Sequence, residues 1–79
     1  MLEYFCEMKF LILGCGSIGR RHAKNLKLLG IKNLVLCDAN KDRAKTLGLE
    51  LKSDLIYSDY KIAVKQNPDI YAVIICTPT

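Results

Sequence analysis

The stretch Lys9-Phe-Leu-Ile-Leu-Gly-Cys-Gly-Ser-Ile-Gly19 decides the fold of this chain. It starts with a compact apolar run that stops at Gly14, which predicts a strand buried on both faces. A helix is predicted to follow from Ser17 to Leu29, with Gly30 as its C-terminal stop. The apolar residues that recur near a 3.6-residue period in this helix are Ile18, Leu26 and Leu29.

A second strand and a second helix are predicted downstream. The apolar run 33–37 reads as another buried strand. Asn40 is expected to cap a helix that runs to Gly48, and a short third strand is expected at 55–57.

The last third of the chain is predicted to form another helix followed by another strand. Ser58 is expected to cap a helix that has Asp59 in its first turn and ends before Pro68, because proline restricts the residue before it. The strongest strand pattern covers 70–76, and 77–79 turn out of it.

This βαβαβαβ order predicts an α/β domain built on a parallel sheet that is covered on both faces. Doubly wound, Rossmann-like connections would place the strands in the order 3-2-1-4. With 79 residues, the chain is expected to form a single dinucleotide-binding domain over 1–79.

Composition narrows the class of function. The chain is 51% hydrophobic and 25% charged, typical of a globular protein, and its net charge of +4 favours anionic partners. No nucleic-acid-binding motif accompanies the charge, and the longest apolar runs fall short of the about 20 residues that a membrane helix needs. With no evident signal peptide, we expect a cytoplasmic protein that binds neither nucleic acid nor membrane.

The cysteines are spaced without any C-x-x-C pair, so no metal site is predicted. Cys15, Cys37 and Cys76 would all lie at carboxyl ends of strands, near one crevice. Small apolar packing residues are the favoured interpretation of these thiols, with a redox or metal role as the alternative.

The G-x-G-x-x-G pattern has the context that gives it meaning: a strand before it, a helix after it and an acid after the next strand. Gly14 would permit a tight turn, Gly16 a close approach of a pyrophosphate, and Gly19 close packing of helix on strand. Free amides around Ser17 and Ile18 would then bind the phosphates. The alternative is that the glycines only make a strand-to-helix turn.

Asp38 follows the second strand, at about the usual 20-residue spacing for an acid that binds the adenosine ribose. Its charge would repel a 2′-phosphate, which favours NAD, while nearby Lys41 and Arg43 keep NADP open. A solvated loop carboxylate is the alternative for Asp38.

Four other side chains are candidates for site residues. His22 is expected to pack on the helix face that meets the sheet rather than to catalyse. For Arg20, a phosphate contact and a solvent-facing position are equally favoured interpretations. Tyr57 and Tyr60 are expected to be packing residues.

Three segments resemble the amino-terminal domain of the glucose-fructose oxidoreductase/inositol dehydrogenase (Gfo/Idh/MocA) family. They are Met8-Lys-Phe-Leu-Ile-Leu-Gly-Cys-Gly-Ser-Ile-Gly-Arg-Arg-His22, the acid Asp38, and Pro68-Asp-Ile-Tyr-Ala-Val-Ile-Ile-Cys-Thr-Pro-Thr79. The resemblance covers 8–79 and implies an NAD(P)-binding domain of an oxidoreductase that acts on a sugar, cyclitol or related alcohol.

The resemblance also implies roles for single residues. The pyrophosphate would lie at the glycine turn and the adenosine ribose at Asp38, while Thr77 and Pro78 would line the nicotinamide half. The residues implied at the turn are Gly14, Gly16, Ser17, Ile18 and Gly19.

The family's catalytic lysine, in a Glu-Lys-Pro segment, and its substrate domain would come after Thr79. We therefore expect a truncated, catalytically silent cofactor-binding part, with no catalytic residue in the chain and Met1 or Met8 as its start. The alternative is a stand-alone module that binds NADH, CoA or a mononucleotide. The uncharged strand 70–76 would form an open sheet edge, which predicts a homo-oligomer.

Overall fold

The structure is a computed structural model and describes residues 7–77. Four strands and three helices alternate along this part of the chain: β1 (Lys9–Leu13), α1 (Ser17–Leu28), β2 (Asn33–Cys37), α2 (Lys41–Leu51), β3 (Ile56–Tyr57), α3 (Tyr60–Gln66) and β4 (Ile70–Ile75). All strand pairs are parallel, in the order β3-β2-β1-β4. The predicted α/β fold with Rossmann-like strand order 3-2-1-4 is therefore confirmed.

The core lies on both faces of β1 and β2, as their apolar runs predicted. Ile12 packs with residues of α1 and α2 on one face, and Leu11 packs with Val35, Cys37 and Ala63 on the other. β4 differs, because its side chains are alternately half-buried and exposed. The expected cover on both faces thus holds for the central strands and is incomplete at β4.

Helix α1 contacts the sheet through small residues. Gly19 and Ala23 are its buried positions, and a Cβ at Gly19 would collide with the carbonyl oxygen of Gly14. This close approach turns Ile18 to the surface, where it is 59% exposed, and His22 is exposed as well. The predicted apolar face was therefore wrong for Ile18 and for the packing role of His22.

The ends of α1 follow the glycine signals closely. The helix ends at Leu28, one residue before the predicted end, and Leu29 is exposed rather than packed. Gly30 adopts a φ of +98° and donates its amide to the carbonyl of Lys27 at 3.0 Å. Gly30 is thus the helix stop that the sequence predicted.

Helix α2 begins as predicted and ends later. The Asn40 side chain accepts a hydrogen bond from the amide of Asp42 at 3.1 Å, which confirms the cap. The helix continues past Gly48 to Leu51 because Leu51 is buried in the core. Gly48 serves close packing instead, since a Cβ there would lie 2.5 Å from the side chain of Ile56.

The predicted third strand is shortened to Ile56–Tyr57. Asp59 rather than Ser58 caps α3, accepting a hydrogen bond from the amide of Lys61 at 2.8 Å. Helix α3 ends at Gln66, before Pro68 as expected, and β4 ends one residue earlier than predicted. Within residues 7–77, no helix has the length and apolar character needed to cross a bilayer.

Candidate functional site

A cleft of about 930 Å³ opens at the carboxyl ends of the strands. It lies where the chain crosses from the β2 side of β1 to the β4 side, the place at which doubly wound sheets bind ligands. Its lining comes from strand ends and from the segments that follow each of the four strands: Leu13, Gly14, Gly16, Ser17, Ile18, Cys37, Asp38, Ala39, Arg43, Ser58, Tyr60, Cys76 and Thr77.

The floor of the cleft is the turn after β1. Gly14 has a φ of +104°, and a Cβ there would lie 2.8 Å from the carbonyl carbon of Cys76 and 2.9 Å from the amide nitrogen of Thr77. Its own amide donates to the carbonyl of Cys37 at 2.8 Å. Only glycine fits this position, because both the backbone angle and the neighbouring backbone exclude a side chain.

The next glycine faces open space. A Cβ at Gly16 would meet no atom within 4 Å, and the backbone there has a φ of −76°, which any residue can adopt. Neither strain nor packing inside the described chain therefore requires glycine at this position. Free space beside backbone amides is what a phosphate group needs in order to approach.

The start of α1 offers those amides. Gly16 occupies the cap position without any side-chain hydrogen bond, whereas α2 and α3 are capped by Asn40 and Asp59. The first amides of a helix have no acceptor within the helix, and the helix dipole adds positive charge there. Ser17 and Ile18 line the cleft at this end of α1, so the residues present fit a bound anion.

Asp38 lines the same cleft as the start of α1 and is held in place by the backbone. Its Oδ2 accepts a hydrogen bond from the amide of Cys15 at 2.8 Å, and its Oδ1 accepts one from the amide of Asn40 at 2.8 Å. The carboxylate is half-buried and lines the cleft. Asp38 therefore links the loop after β2 to the glycine turn and still faces the ligand space.

The remaining predicted site residues fall in three places. Thr77 is exposed and lines the cleft. Gly19 lies beneath the turn, against Gly14, and does not reach the cleft. Pro78 lies outside the described residues.

The segments after β2 and β3, which include the starts of α2 and α3, supply lining residues that were not assigned to the site. Arg43 also lines the cleft. The sequence indicated it only as a residue that could attract the 2′-phosphate of NADP. Tyr60, 52% exposed, lines the cleft with Ser58, so its expected packing role was wrong. Tyr57 does pack against the core, and its hydroxyl accepts a hydrogen bond from Asn67 at 3.1 Å. The sequence could have indicated these residues by their positions shortly after predicted strands, because the segments that follow parallel strands line the crevice.

Arg20 takes the solvent-facing alternative. Its Nε and Nη2 lie 2.9 and 2.6 Å from the carboxylate of Glu50, which Lys24 also contacts at 2.8 Å. The hydrogen bonds from Arg20 and Lys24 lower the pKa of the Glu50 carboxyl to about 2. This exposed cluster joins α1 to α2 and holds the guanidinium of Arg20 outside the cleft.

Cys15, Cys37 and Cys76 lie near the crevice, where they were expected. Cys37 and Cys76 line the cleft, and the buried thiol of Cys15 lies 3.6 Å from the carbonyl oxygen of Cys37. Burial, helped by the charge of Asp38, raises the pKa of the Cys15 thiol to about 12. Burial also raises the pKa values of Cys37 and Cys76. Protonated thiols are poor nucleophiles, which favours the interpretation of these side chains as apolar packing residues.

The strand order and the glycine turn define the class of Rossmann-type α/β domains. A family model described as an oxidoreductase family with an NAD-binding Rossmann fold (GFO_IDH_MocA) matches residues 8–79. The chain therefore belongs to this family, and the resemblance seen in the sequence is confirmed. The family description supports a nicotinamide dinucleotide as the ligand. Comparisons with curated proteins and with solved structures gave no match.

Proposed function

We propose that this chain binds NAD in the cleft, as the cofactor-binding domain of an oxidoreductase that acts on a sugar, cyclitol or related alcohol. One observation carries the proposal: the uncapped start of α1 faces free space beside Gly16. A glycine that neither packing nor backbone strain requires is explained by a ligand that approaches the backbone closely.

The proposal assigns the two halves of the cofactor to different loops. The adenosine ribose hydroxyls would donate to Asp38, whose oxygens each keep a further lone pair beside the amide that they already bind. The nicotinamide half would lie toward Thr77, which lines the cleft. The pyrophosphate would be held at the turn formed by Gly14, Gly16, Ser17 and Ile18, with Gly19 packed beneath that turn.

NAD rather than NADP is the proposed cofactor. The carboxylate of Asp38 is fixed by two backbone amides, so it cannot swing away from a 2′-phosphate and would repel it. Arg43 lines the same cleft and would attract that phosphate, so the preference for NAD over NADP is partial. We expect NADP to bind more weakly, by about tenfold.

The chain by itself is proposed to bind the cofactor without oxidising an alcohol. Oxidation of an alcohol needs a general base beside the cofactor. Among the cleft-lining residues of the described chain, none is a lysine or a histidine. Incubating the 79-residue chain with NAD and a panel of sugars and cyclitols should produce no NADH absorbance.

The decisive test is the variant Gly16→Ala. The Cβ of the alanine has room within the protein, so the fold should persist. The midpoint temperature of thermal unfolding should be unchanged or slightly higher. The same methyl group would occupy the space needed by the pyrophosphate, so NAD affinity measured by calorimetry should fall by at least about tenfold.

Adenosine provides the matched control because it lacks phosphates. Its binding should survive Gly16→Ala if the ribose site at Asp38 is separate from the phosphate site. The proposal fails if the wild-type chain gives no heat with NAD or NADH at millimolar concentration, or if Gly16→Ala binds NAD as the wild type does. Tighter binding of CoA or AMP would instead identify the alternative nucleotide-binding module.

A further inference from the structure

Tyr60 is an exposed aromatic residue in the wall of the cleft. It lines the cleft together with Ser58 and is 52% exposed. It belongs to neither apolar cluster of the core, and the only aromatic pair within residues 7–77 joins Phe10 to Tyr71. Packing inside the described chain therefore does not explain an aromatic side chain at this position.

Tyr60 lies on the far side of Asp38 from the glycine turn. The sheet order places the end of β2 between the end of β1 and the end of β3. The amide of Asp38 donates to the carbonyl of Tyr57 at 3.1 Å, which joins the end of β2 to the end of β3. Tyr60 follows shortly after, as the first residue of α3. The order along the cleft is therefore the glycine turn, then the carboxylate, then the tyrosine.

The parts of a dinucleotide follow one another in the same order. In adenosine the base is attached at C1′ and the phosphate at C5′, so the ribose separates them. With the pyrophosphate at the glycine turn and the ribose at Asp38, the adenine ring of an extended cofactor continues away from β1. That direction leads to the end of β3.

Two helices on opposite faces of the sheet bound the space at the ends of β2 and β3. Helix α2 packs through Ala44 on one face, and α3 packs through Ala63 on the other. Arg43, next to Ala44, and Tyr60, at the start of α3, both line the cleft. A planar ligand between these helices would have a guanidinium group on one side and a phenol ring on the other.

We propose that Tyr60 stacks on the adenine ring of the bound cofactor, with Arg43 as the opposite wall of the base site. The inference deepens the proposed function and rests on its placement of the ribose at Asp38. Aromatic side chains bind bases through the faces of their rings, and the planar guanidinium of arginine also stacks on rings. Tyr60 is thus a binding residue for the adenosine half of the cofactor.

Calorimetry with adenosine and with NAD tests the proposal in two variants. Tyr60→Ala removes the stacked ring and should lower the affinity for both ligands by at least about fivefold. Tyr60→Phe keeps the ring and should bind both ligands within about twofold of the wild type. Unchanged adenosine affinity in Tyr60→Ala, or an equal loss in Tyr60→Phe, would overturn the proposal.

Ile62→Ala is the matched control for the substitution itself. Ile62 lies on the same helix, is 47% exposed and is not among the residues that line the cleft. The control should bind adenosine as the wild type does, and circular dichroism verifies that each variant is folded. If Ile62→Ala weakens adenosine binding as much as Tyr60→Ala does, the loss comes from α3 as a whole and the proposal is wrong.

Proton NMR gives a readout that a purely structural role of Tyr60 would not produce. A stacked adenine shifts the protons of the ring beneath it upfield, because they lie in the ring current of the base. The chain has four tyrosines, and the resonances of Tyr60 are those missing from Tyr60→Phe. They should move upfield as adenosine is added, and unshifted resonances at saturation would refute stacking.

The variant Gly16→Ala separates this inference from the proposed function. If NAD binding responds to Gly16→Ala but not to Tyr60→Ala, the proposed function stands and the base site is wrong. If adenosine binding depends on Tyr60 while Gly16→Ala binds NAD normally, the base site stands and the pyrophosphate site is wrong. A chain that binds neither NAD nor adenosine overturns both.

Discussion

At the scale of single residues, Asp38 has a structural contact in addition to its proposed role with the ribose. It satisfies the amide of Cys15, which belongs to the glycine turn, and the amide of Asn40. Removing the carboxylate leaves both donors without their partner. A loss of NAD binding in an Asp38 variant must therefore be separated from a loss of stability.

We expect Asp38→Ala to lower the free energy of unfolding by about 1–3 kcal/mol, because the two amides lose their acceptor. We also expect it to weaken NAD and adenosine binding several-fold. Urea unfolding measures the first effect, and calorimetry at a temperature where the variant is fully folded measures the second. Asp54→Ala removes the same charge from an exposed residue outside the cleft and should change neither quantity. If Asp38→Ala is destabilised but binds adenosine normally, Asp38 is a structural residue only.

Sequence predicted the glycines of the turn better than it predicted the faces of the helix. The positive φ of Gly14 and the close packing of Gly19 follow from a spacing that specifies backbone geometry. The buried face of α1 was misjudged because it is set by the small residues Gly19 and Ala23, which bring the helix axis close to the sheet. A search for large apolar residues selects Ile18 instead, which faces the cleft.

At the scale of elements, the junction between α3 and β4 depends on the buried side chain of Asn67. Its Nδ2 donates to the Tyr57 hydroxyl at 3.1 Å and to the carbonyl of Ala63 at 2.8 Å. Its Oδ1 accepts from the ammonium group of Lys9 at 3.2 Å. One side chain thus ties the end of α3 to β3 and to the start of β1.

We expect Asn67→Ala to lower the free energy of unfolding by about 2–3 kcal/mol, since three hydrogen bonds are lost and buried polar partners remain. Urea unfolding followed by circular dichroism measures the change. Gln66→Ala, at the exposed neighbouring position, should change the same quantity by less than about 0.5 kcal/mol. Equal stability of the two variants would show that the other contacts of the junction are sufficient.

Element order was predicted from the sequence, whereas several element ends depend on tertiary packing. Gly48 reads locally as a helix stop, but α2 passes through it because Leu51 is buried and Ile56 packs against the glycine. Ser58 and Asp59 are both good capping residues, and the local sequence does not distinguish them. Strand β3 fixes the path of the chain into α3, and Asp59 then reaches the amide of Lys61.

At the scale of the whole molecule, three thiols surround the carboxyl-terminal edge of the sheet, and folding keeps them protonated. Burial raises the pKa of Cys15 from 9.0 to about 12 and also raises the pKa values of Cys37 and Cys76. A thiol with a raised pKa in the folded protein stays neutral while the unfolded chain ionises. Its contribution to stability is complete below pH 9 and is lost progressively as the pH rises toward 12.

We therefore expect the chain to lose stability in alkaline solution, by about 2 kcal/mol at pH 10.5 for Cys15 alone, since one pKa unit corresponds to about 1.4 kcal/mol. Urea unfolding under reducing conditions at pH 8 and pH 10.5 measures the loss. Cys15→Ala should lose correspondingly less stability between the two pH values, whatever its stability at pH 8. Cys76→Ala, which removes a half-buried thiol, should have a smaller effect. Equal losses of unfolding free energy between pH 8 and pH 10.5 in the wild type and in Cys15→Ala would show that the Cys15 thiol does not cause the loss of stability in alkaline solution.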